Sequence, residues 1–251
     1  MPEHRFHTPE PVELDINVPN GDIDVETSDG DETVVSVEGD EELVELTEVR
    51  QDGRRVLVEL KDRKRFGISI AIGSFSFGSG SSLRIRARVP HGSRADLSTA
   101  AADMKLRGRY GALEVKSASG DLSVAGEVER EAAVKTVSGD VRLERVGGEL
   151  RVQTVSGDVE AGSVGGSVTT KTVSGDVRVD CVREGSVTVQ SVSGDIEIGV
   201  AQGTNLDVDA GSVSGDLASD VPLASEPQAA DGPMLVVRGK TVSGDFRVFR
   251  A

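Results

Sequence analysis

Apolar and polar residues alternate along most of this chain, in two different regimes. Within residues 1–95 a period of two runs through Val12, Leu14, Ile16 and Val18, then Ile23 and Val25, Val34 to Val37, Leu43 to Val49, Val56, Val58 and Leu60, Ile68, Ile70 and Ile72, and Leu83, Ile85, Ala87 and Val89. That period puts every second side chain on one side of an extended strand. Pro19-Asn20-Gly21-Asp22 reads as a turn, Asp52-Gly53 as a hairpin connection and Pro90-His91-Gly92 as the close of the segment. Residues 1–95 are therefore expected to form an antiparallel β region that caps the C-terminal part of the chain.

From about Ala95 the alternation acquires a second, longer period. The tripeptide Ser-Gly-Asp occurs seven times, with steps of 19, 18, 18, 19, 21 and 29 residues. Its glycine–aspartate pairs are Gly120 and Asp121, Gly139 and Asp140, Gly157 and Asp158, Gly175 and Asp176, Gly194 and Asp195, Gly215 and Asp216, and Gly244 and Asp245. The apolar residue before each copy is Ala118, Val137, Val155, Val173, Val192, Val213 or Val242, and further apolar positions come after it at Leu122, Val141, Val159, Val177, Ile196, Leu217 and Phe246. A second turn recurs at Val146-Gly147-Gly148 and Val164-Gly165-Gly166. Each period thus supplies two short strands and two tight turns. Two such strands cannot bury an apolar side alone, whereas stacked periods share one aliphatic core. The fold class expected is all-β, a parallel β-solenoid (β-helix) over residues 96–251 with rungs of about 18 residues, right-handed by the crossover preference. Ala101-Ala102-Asp103 looks like a degenerate first rung, and the Pro/Gly-rich stretch 218–234 like a loop before the final rung.

The tripeptide is explained by corner chemistry. Glycine takes φ > 0 without steric cost, and Ser and Asp side chains can bond backbone N–H groups that a corner leaves unpaired. A cation site in the Asp column is the competing reading, but like charges one rung apart repel by only about 0.9 kcal/mol in water, so no metal is required. Arg142, Glu160, Arg178 and Glu197 alternate in sign from rung to rung and read as cross-strand pairs. Ser117, Thr136, Thr154, Thr172, Ser191, Ser212 and Thr241 form a hydroxyl column, read as an outward ladder bonded along the stack.

Composition narrows the function. Aromatics are 3% of residues with no Trp, and they are absent between Tyr110 and Phe246, so the final rung and the N-terminal region look like the ends of the stack. A net charge of −15 disfavours nucleic acid and anionic lipid as partners of the whole surface. A single cysteine, Cys181, and three scattered histidines leave neither a disulfide nor a metal-ligand spacing, so no cofactor is expected. No nucleophile elbow or phosphate loop occurs, and the corners are too short to wall a substrate cleft, which argues against an enzyme. No window nears 18 continuous apolar residues, and Met1-Pro2-Glu3-His4-Arg5 has no apolar h-region. The expectation is a cytoplasmic protein without a transmembrane segment, or a cell-surface one if a leader is processed away. One stretch stands out, a Gly/Ser-rich hairpin at 61–82. Its Arg63, Lys64, Arg65, Phe66, Phe75 and Phe77 are candidates for contact with a partner.

The opening Phe6-His7-Thr8-Pro9-Glu10-Pro11, the junction at Pro90, Gly92 and Ser93, the repeated Ser-Gly-Asp and the closing Thr241-Val242-Ser243-Gly244-Asp245-Phe246-Arg247-Val248 resemble the bacterial β-strand-repeat family labelled "putative adhesin", a domain of unknown function, in its short, leaderless actinobacterial form. The resemblance implies a parallel β-coil and brings no catalytic residues. The expected function is a non-enzymatic scaffold or interaction module that binds a protein or glycan, as a monomer or weak homo-oligomer. A bactofilin-like polymer former and a carbohydrate-active enzyme are the alternatives.

Overall fold

A computed structural model describes residues 2–61, 83–220 and 232–251. The hairpin expected at 61–82, with its six candidate contact residues, lies outside the described residues apart from Lys61, as does most of the loop expected at 218–234.

The chain opens with β1 (Glu3–His7), β2 (Glu13–Ser28), β3 (Glu32–Gly39), α1 (Glu41–Leu46), β4 (Thr47–Asp52), β5 (Arg55–Leu60) and β6 (Leu83–Pro90). Two long strands succeed them, β7 (Arg94–Lys116) and β8 (Leu122–Lys135). Then come the short strands β9 (Val141–Val146), β10 (Glu149–Gln153), β11 (Val159–Val164), β12 (Val168–Lys171), β13 (Val177–Val182), β14 (Gly185–Gln190) and β15 (Ile196–Val200). The chain finishes with β16 (Asn205–Ser214), β17 (Leu217–Ser219), β18 (Met234–Ser243) and β19 (Phe246–Arg250).

The stack is parallel. β9 pairs with β11, β11 with β13 and β13 with β15 on one side, in a register that sets Val141 beside Val159 and Val159 beside Val177. β8 pairs with β10, β10 with β12 and β12 with β14 on the other. Inward residues of both sides meet in one aliphatic cluster that runs from Val12 to Val248. The fold is a β-solenoid with two long sides. The lysine face comprises the latter half of β8, with β10, β12, β14, β18 and β16. The ion-pair face comprises β9, β11, β13, β15, β19 and β17.

The N-terminal half departs from a purely antiparallel region. β3 does pair antiparallel with β1 and β6, and β4 with β5. β2, however, pairs in parallel with β5, β6 and β7. The reason is local: Asn20-Gly21-Asp22 bends the strand without reversing it, and sits in register with Ala101-Ala102-Asp103, the degenerate corner read from the sequence. Asp52 faces Arg55, so the hairpin turn is made by Gly53-Arg54, one residue later than expected.

The run Leu43–Val49 is not one strand. Asp40 caps a short helix, its Oδ1 accepting the Glu42 N–H at 3.1 Å, and Thr47 closes it by donating its hydroxyl to the Leu43 carbonyl at 2.7 Å. A side-chain acceptor before two glutamates is a helix start, which alternation alone hides.

The order of the stack also differs from the order of the chain. β18 and β19 lie between β14/β15 and β16/β17, pairing with strands on both flanks. The Phe-bearing final segment is therefore interior to the stack, and β16 and β17 form the terminal layer. Burial accounts for this: Leu235, Val237, Phe246 and Val248 are fully buried, whereas Leu206, Val208 and Ala210 are only half-buried and Leu217 is exposed. The more apolar segment takes the covered position. Among the described residues no helix is long and apolar enough to cross a membrane.

Candidate functional site

Every corner is built in the same way. Gly120, Gly139, Gly157, Gly175, Gly194, Gly215 and Gly244 have φ between +100° and +149°. A Cβ on Gly157 would lie 2.2 Å from the carbonyl oxygen of Gly139 in the preceding corner. Beside each glycine, the aspartate Oδ1 accepts the N–H of the next aspartate in the stack. The chain of bonds runs from Asp103 through Asp121, Asp140, Asp158, Asp176, Asp195 and Asp245 to Asp216, at 2.8–3.1 Å. The carboxylate column thus satisfies corner amides that no neighbouring carbonyl reaches. Among the described residues no group of His, Cys, Asp and Glu has the disposition of a metal site.

The hydroxyl column is not an outward ladder. Thr136, Thr154, Thr172, Ser191 and Thr241 are buried, and each donates to the carbonyl two residues on, at 3.0–3.2 Å. The Ser193 and Ser243 carbonyls also accept the N–H of a neighbouring corner glycine, so the buried hydroxyl before each corner adds a second donor and leaves its own polar atom paired. Alternation then forces the next residue out. Val137, Val155, Val173, Val192 and Val242 stand 47–52% exposed in a single column, with Val213 at 82% at the end of the stack. Apolar side chains in contiguous exposure mark an interaction surface when they recur as a patch.

The neighbouring columns of the lysine face give this ladder a chemical setting. Two residues before the valines stand Lys135, Gln153, Lys171, Gln190 and Lys240, placed side by side by the strand register. Two residues further back stand Ala133, Arg151, Thr169, Thr188 and Arg238. From Lys135 to Lys240 these three columns hold no carboxylate, on a chain that carries −15 overall; carboxylates stand at their two ends, Glu114 of β7 beside Ala133 and Asp209 of β16 beside Arg238. Among the described residues Lys135, Lys171, Arg238 and Lys240 make no ion pair; Arg151 is bound by Glu149 at 2.5 Å. A shallow groove of about 430 Å³ runs here, lined by Lys135, Thr154, Val155, Lys171 and Val173 among others.

The ion-pair face is the opposite case. Arg142 bonds Glu160 at 3.2 Å and Asp140 at 3.1 Å; Arg178 bonds Glu197 at 2.6 Å and Asp180 at 2.7 Å; Arg247 bonds Asp220 at 2.6 Å. The alternating pairs Arg142–Glu160 and Arg178–Glu197 are those expected from the sequence. A larger groove of about 650 Å³ lies on this side, and Arg142, Glu160, Arg178 and Asp180 in its lining are ion-paired, while Glu144 accepts the Gly126 N–H at 2.8 Å. Its guanidinium groups are held further toward the charged form by those hydrogen bonds.

One constellation resembles catalytic machinery. Thr27 Oγ1 lies 2.6 Å from His91 Nδ1, and His91 Nε2 lies 3.3 Å from Asp29. The order of hydroxyl, imidazole and carboxylate is that of a nucleophile with its base. Yet Thr27 is 6% exposed on the inward side of β2, and its oxygen already accepts the Arg109 N–H at 2.8 Å. A hydroxyl so placed fastens the bend at Gly108 and cannot meet a substrate. Along the chain His91 reads as one of three scattered histidines, and no spacing could have joined residues 64 positions apart.

Solved structures share this architecture. One described as a "putative adhesin" from Bacteroides fragilis NCTC 9343 has a TM-score of 0.57 at 14% identity, covering 98% of this chain and 95% of its own. A "putative adhesin" from Parabacteroides distasonis ATCC 8503 has a TM-score of 0.57 at 15% identity, covering 100% of this chain and 96% of its own. A "putative lipid binding protein" from the same organism has a TM-score of 0.50 at 14% identity, covering 100% and 96%. At such identities the likeness is one of fold alone. No curated protein matches the sequence significantly. The sequence profile of the Toastrack DUF4097 family matches residues 12–249, and the chain belongs to that family.

Proposed function

We propose that this protein is a non-enzymatic interaction module, adhesin-like in form, whose right-handed rungs of about 18 residues present a binding surface on the lysine face. One observation carries the reading: Lys171 and Lys240, which make no ion pair among the described residues, stand beside a half-exposed valine ladder, while on the opposite face Arg142, Arg178 and Arg247 are paired with carboxylates. The ligand such a surface fits is anionic, a protein or glycan with an apolar edge, drawn by the cations and held by burial of the valines. The solved structures described as adhesins agree with a binding role. Arrays of glycans and acidic proteins, probed with the wild type and with the K135A/K171A/K240A variant, test the proposal. Binding that the triple variant loses supports it; binding that the triple variant retains overturns it.

A second reading, a polymer-forming scaffold, is favoured by the terminal layer. Among the described strands β16 pairs only with β18 and β17 only with β19, so each has one unpaired edge. Such an edge is a template for another chain. Electron microscopy of concentrated protein distinguishes the two, filaments supporting the scaffold.

A further inference from the structure

We propose that the valine ladder is a homotypic interface, its occupant a second copy of this chain laid face to face with both stacks running in the same direction. The inference rests on the reading of the lysine face as the binding surface and names what binds there.

The argument is the order of the columns. Moving along the rungs of Val137, Val155, Val173, Val192 and Val242 from the lysine face into the corner, the outward residues are Lys or Gln, then Val, then Ser, then Asp; the terminal rung of Val213 has Gly211 in the first place. Each lysine shares its rung with an aspartate: Lys135 with Asp140, Lys171 with Asp176, Lys240 with Asp245. In the last two of these rungs neither partner has an ion pair among the described residues. Asp176 and Asp245 each commit Oδ1 to the next corner amide, at 2.8 Å in both cases, and keep a second oxygen for another donor. The ladder is thus flanked by unmatched positive charge on one side and unmatched negative charge on the other.

Such a surface is complementary to itself in only one of two ways. A two-fold axis parallel to the stack, along the ladder, sets valine on valine and lays the lysine column of each copy over the aspartate column of the other, rung against equal rung. An axis perpendicular to the stack sets lysine over lysine and aspartate over aspartate. Opposite charges directly across an interface attract and like charges are penalised, so the first arrangement is selected. It is isologous and therefore closes as a dimer. In-register columns of identical branched side chains are also the surfaces that interdigitate without water between sheets.

The ladder from Val137 to Val213 spans five strand spacings, roughly 24 Å. That footprint falls short of the standard interface of about 800 Å² per partner, so the dimer is weak, concentration-dependent and loosened by salt.

The test is sedimentation velocity from micromolar to millimolar protein, joined to disulfide trapping. In a C181S background, V137C, V173C and V192C each place a thiol on the proposed axis. The expected result is a concentration-dependent dimer of the wild type, at least tenfold weaker in V155K/V173K, with oxidation trapping a covalent dimer from all three cysteine variants. These side chains are exposed, so circular dichroism should show an unchanged fold. A wild type that stays monomeric at millimolar concentration overturns the proposal, as does trapping at one position alone, which would mean a perpendicular axis. If the wild type is monomeric yet K135A/K171A/K240A still loses array binding, the lysine face is a binding surface for another molecule and only the homotypic inference falls.

Discussion

Replacing Gly157 by alanine probes the corner on which the whole stack depends. Gly157 has φ +118°, a conformation that a residue with a Cβ rarely adopts, and the added carbon would lie 2.2 Å from a backbone oxygen of the neighbouring corner. Holding a non-glycine residue in such a region costs about 1–3 kcal/mol. Relieving the clash requires two rungs to separate locally, and overpacking of that kind adds about 1–3 kcal/mol. The sum is roughly 2–6 kcal/mol, a large share of the 5–15 kcal/mol typical of a folded domain. Gly53 provides the control, because its φ is +59° and a Cβ there would meet nothing within 4 Å. G53A should lose only the left-handed penalty of about 1–2 kcal/mol. Urea denaturation followed by far-UV circular dichroism compares the two, and hydrogen exchange should show G157A opening first around residues 138–140 and 156–158. If G157A is no less stable than G53A, the corners do not stack as described and the reasoning fails.

The same packing makes further perturbations informative. Asp158→Ala removes the acceptor for the Asp176 N–H and should destabilise by about 1 kcal/mol, whereas Asp158→Asn keeps an acceptor and sheds repulsion; chemical denaturation at low salt should find the asparagine variant at least as stable as the wild type. Thr170 is fully buried and among the described residues its hydroxyl has no partner, so Thr170→Val should raise stability by about 1–3 kcal/mol, read as a higher urea midpoint with an unchanged slope. Glu114 is held below the usual glutamate range, first by its hydrogen bond to Lys116 and then by the nearby charges of Lys116, Arg94 and Lys135. Its contribution to stability is present above the ordinary glutamate value and lost as pH falls through the lowered one, so Glu114→Gln should flatten stability against pH in that acid window. Deletion of residues 232–251 should strip exchange protection from 205–219 as well, while the rungs before Val200 keep theirs.

Much of this architecture is legible in the chain itself. The near-constant spacing of Ser-Gly-Asp predicts parallel register because a repeated corner can stack only on its own kind, and Ala101-Ala102-Asp103 pairs where that logic puts it. The inside-out assignment at Thr136 and Val137 was not legible. Hydropathy places valine in the core, and the bond from each buried hydroxyl to the corner carbonyl two residues on reverses the pair. Likewise the basic character of the lysine face is invisible along the chain, because Lys135, Arg151, Lys171 and Lys240 are separated by acidic residues in sequence and gathered only by register. The insertion of β18 and β19 could not be read from the repeat either, since all seven copies carry the same corner.

That insertion bears on how the molecule is made. Emerging from the ribosome, successive rungs can dock as they appear, each closing a span of about 18 residues. The layer at 205–219 has no such option, because its neighbour in the finished protein has not yet been synthesised. Corner 245 must return across 50 residues to meet corner 195, which adds about 0.9 kcal/mol of closure entropy over an 18-residue step. The segment translated after it thus wedges into place and seats the one before it, so a nascent chain stalled near residue 230 would expose an open seam that β18 and β19 later seal.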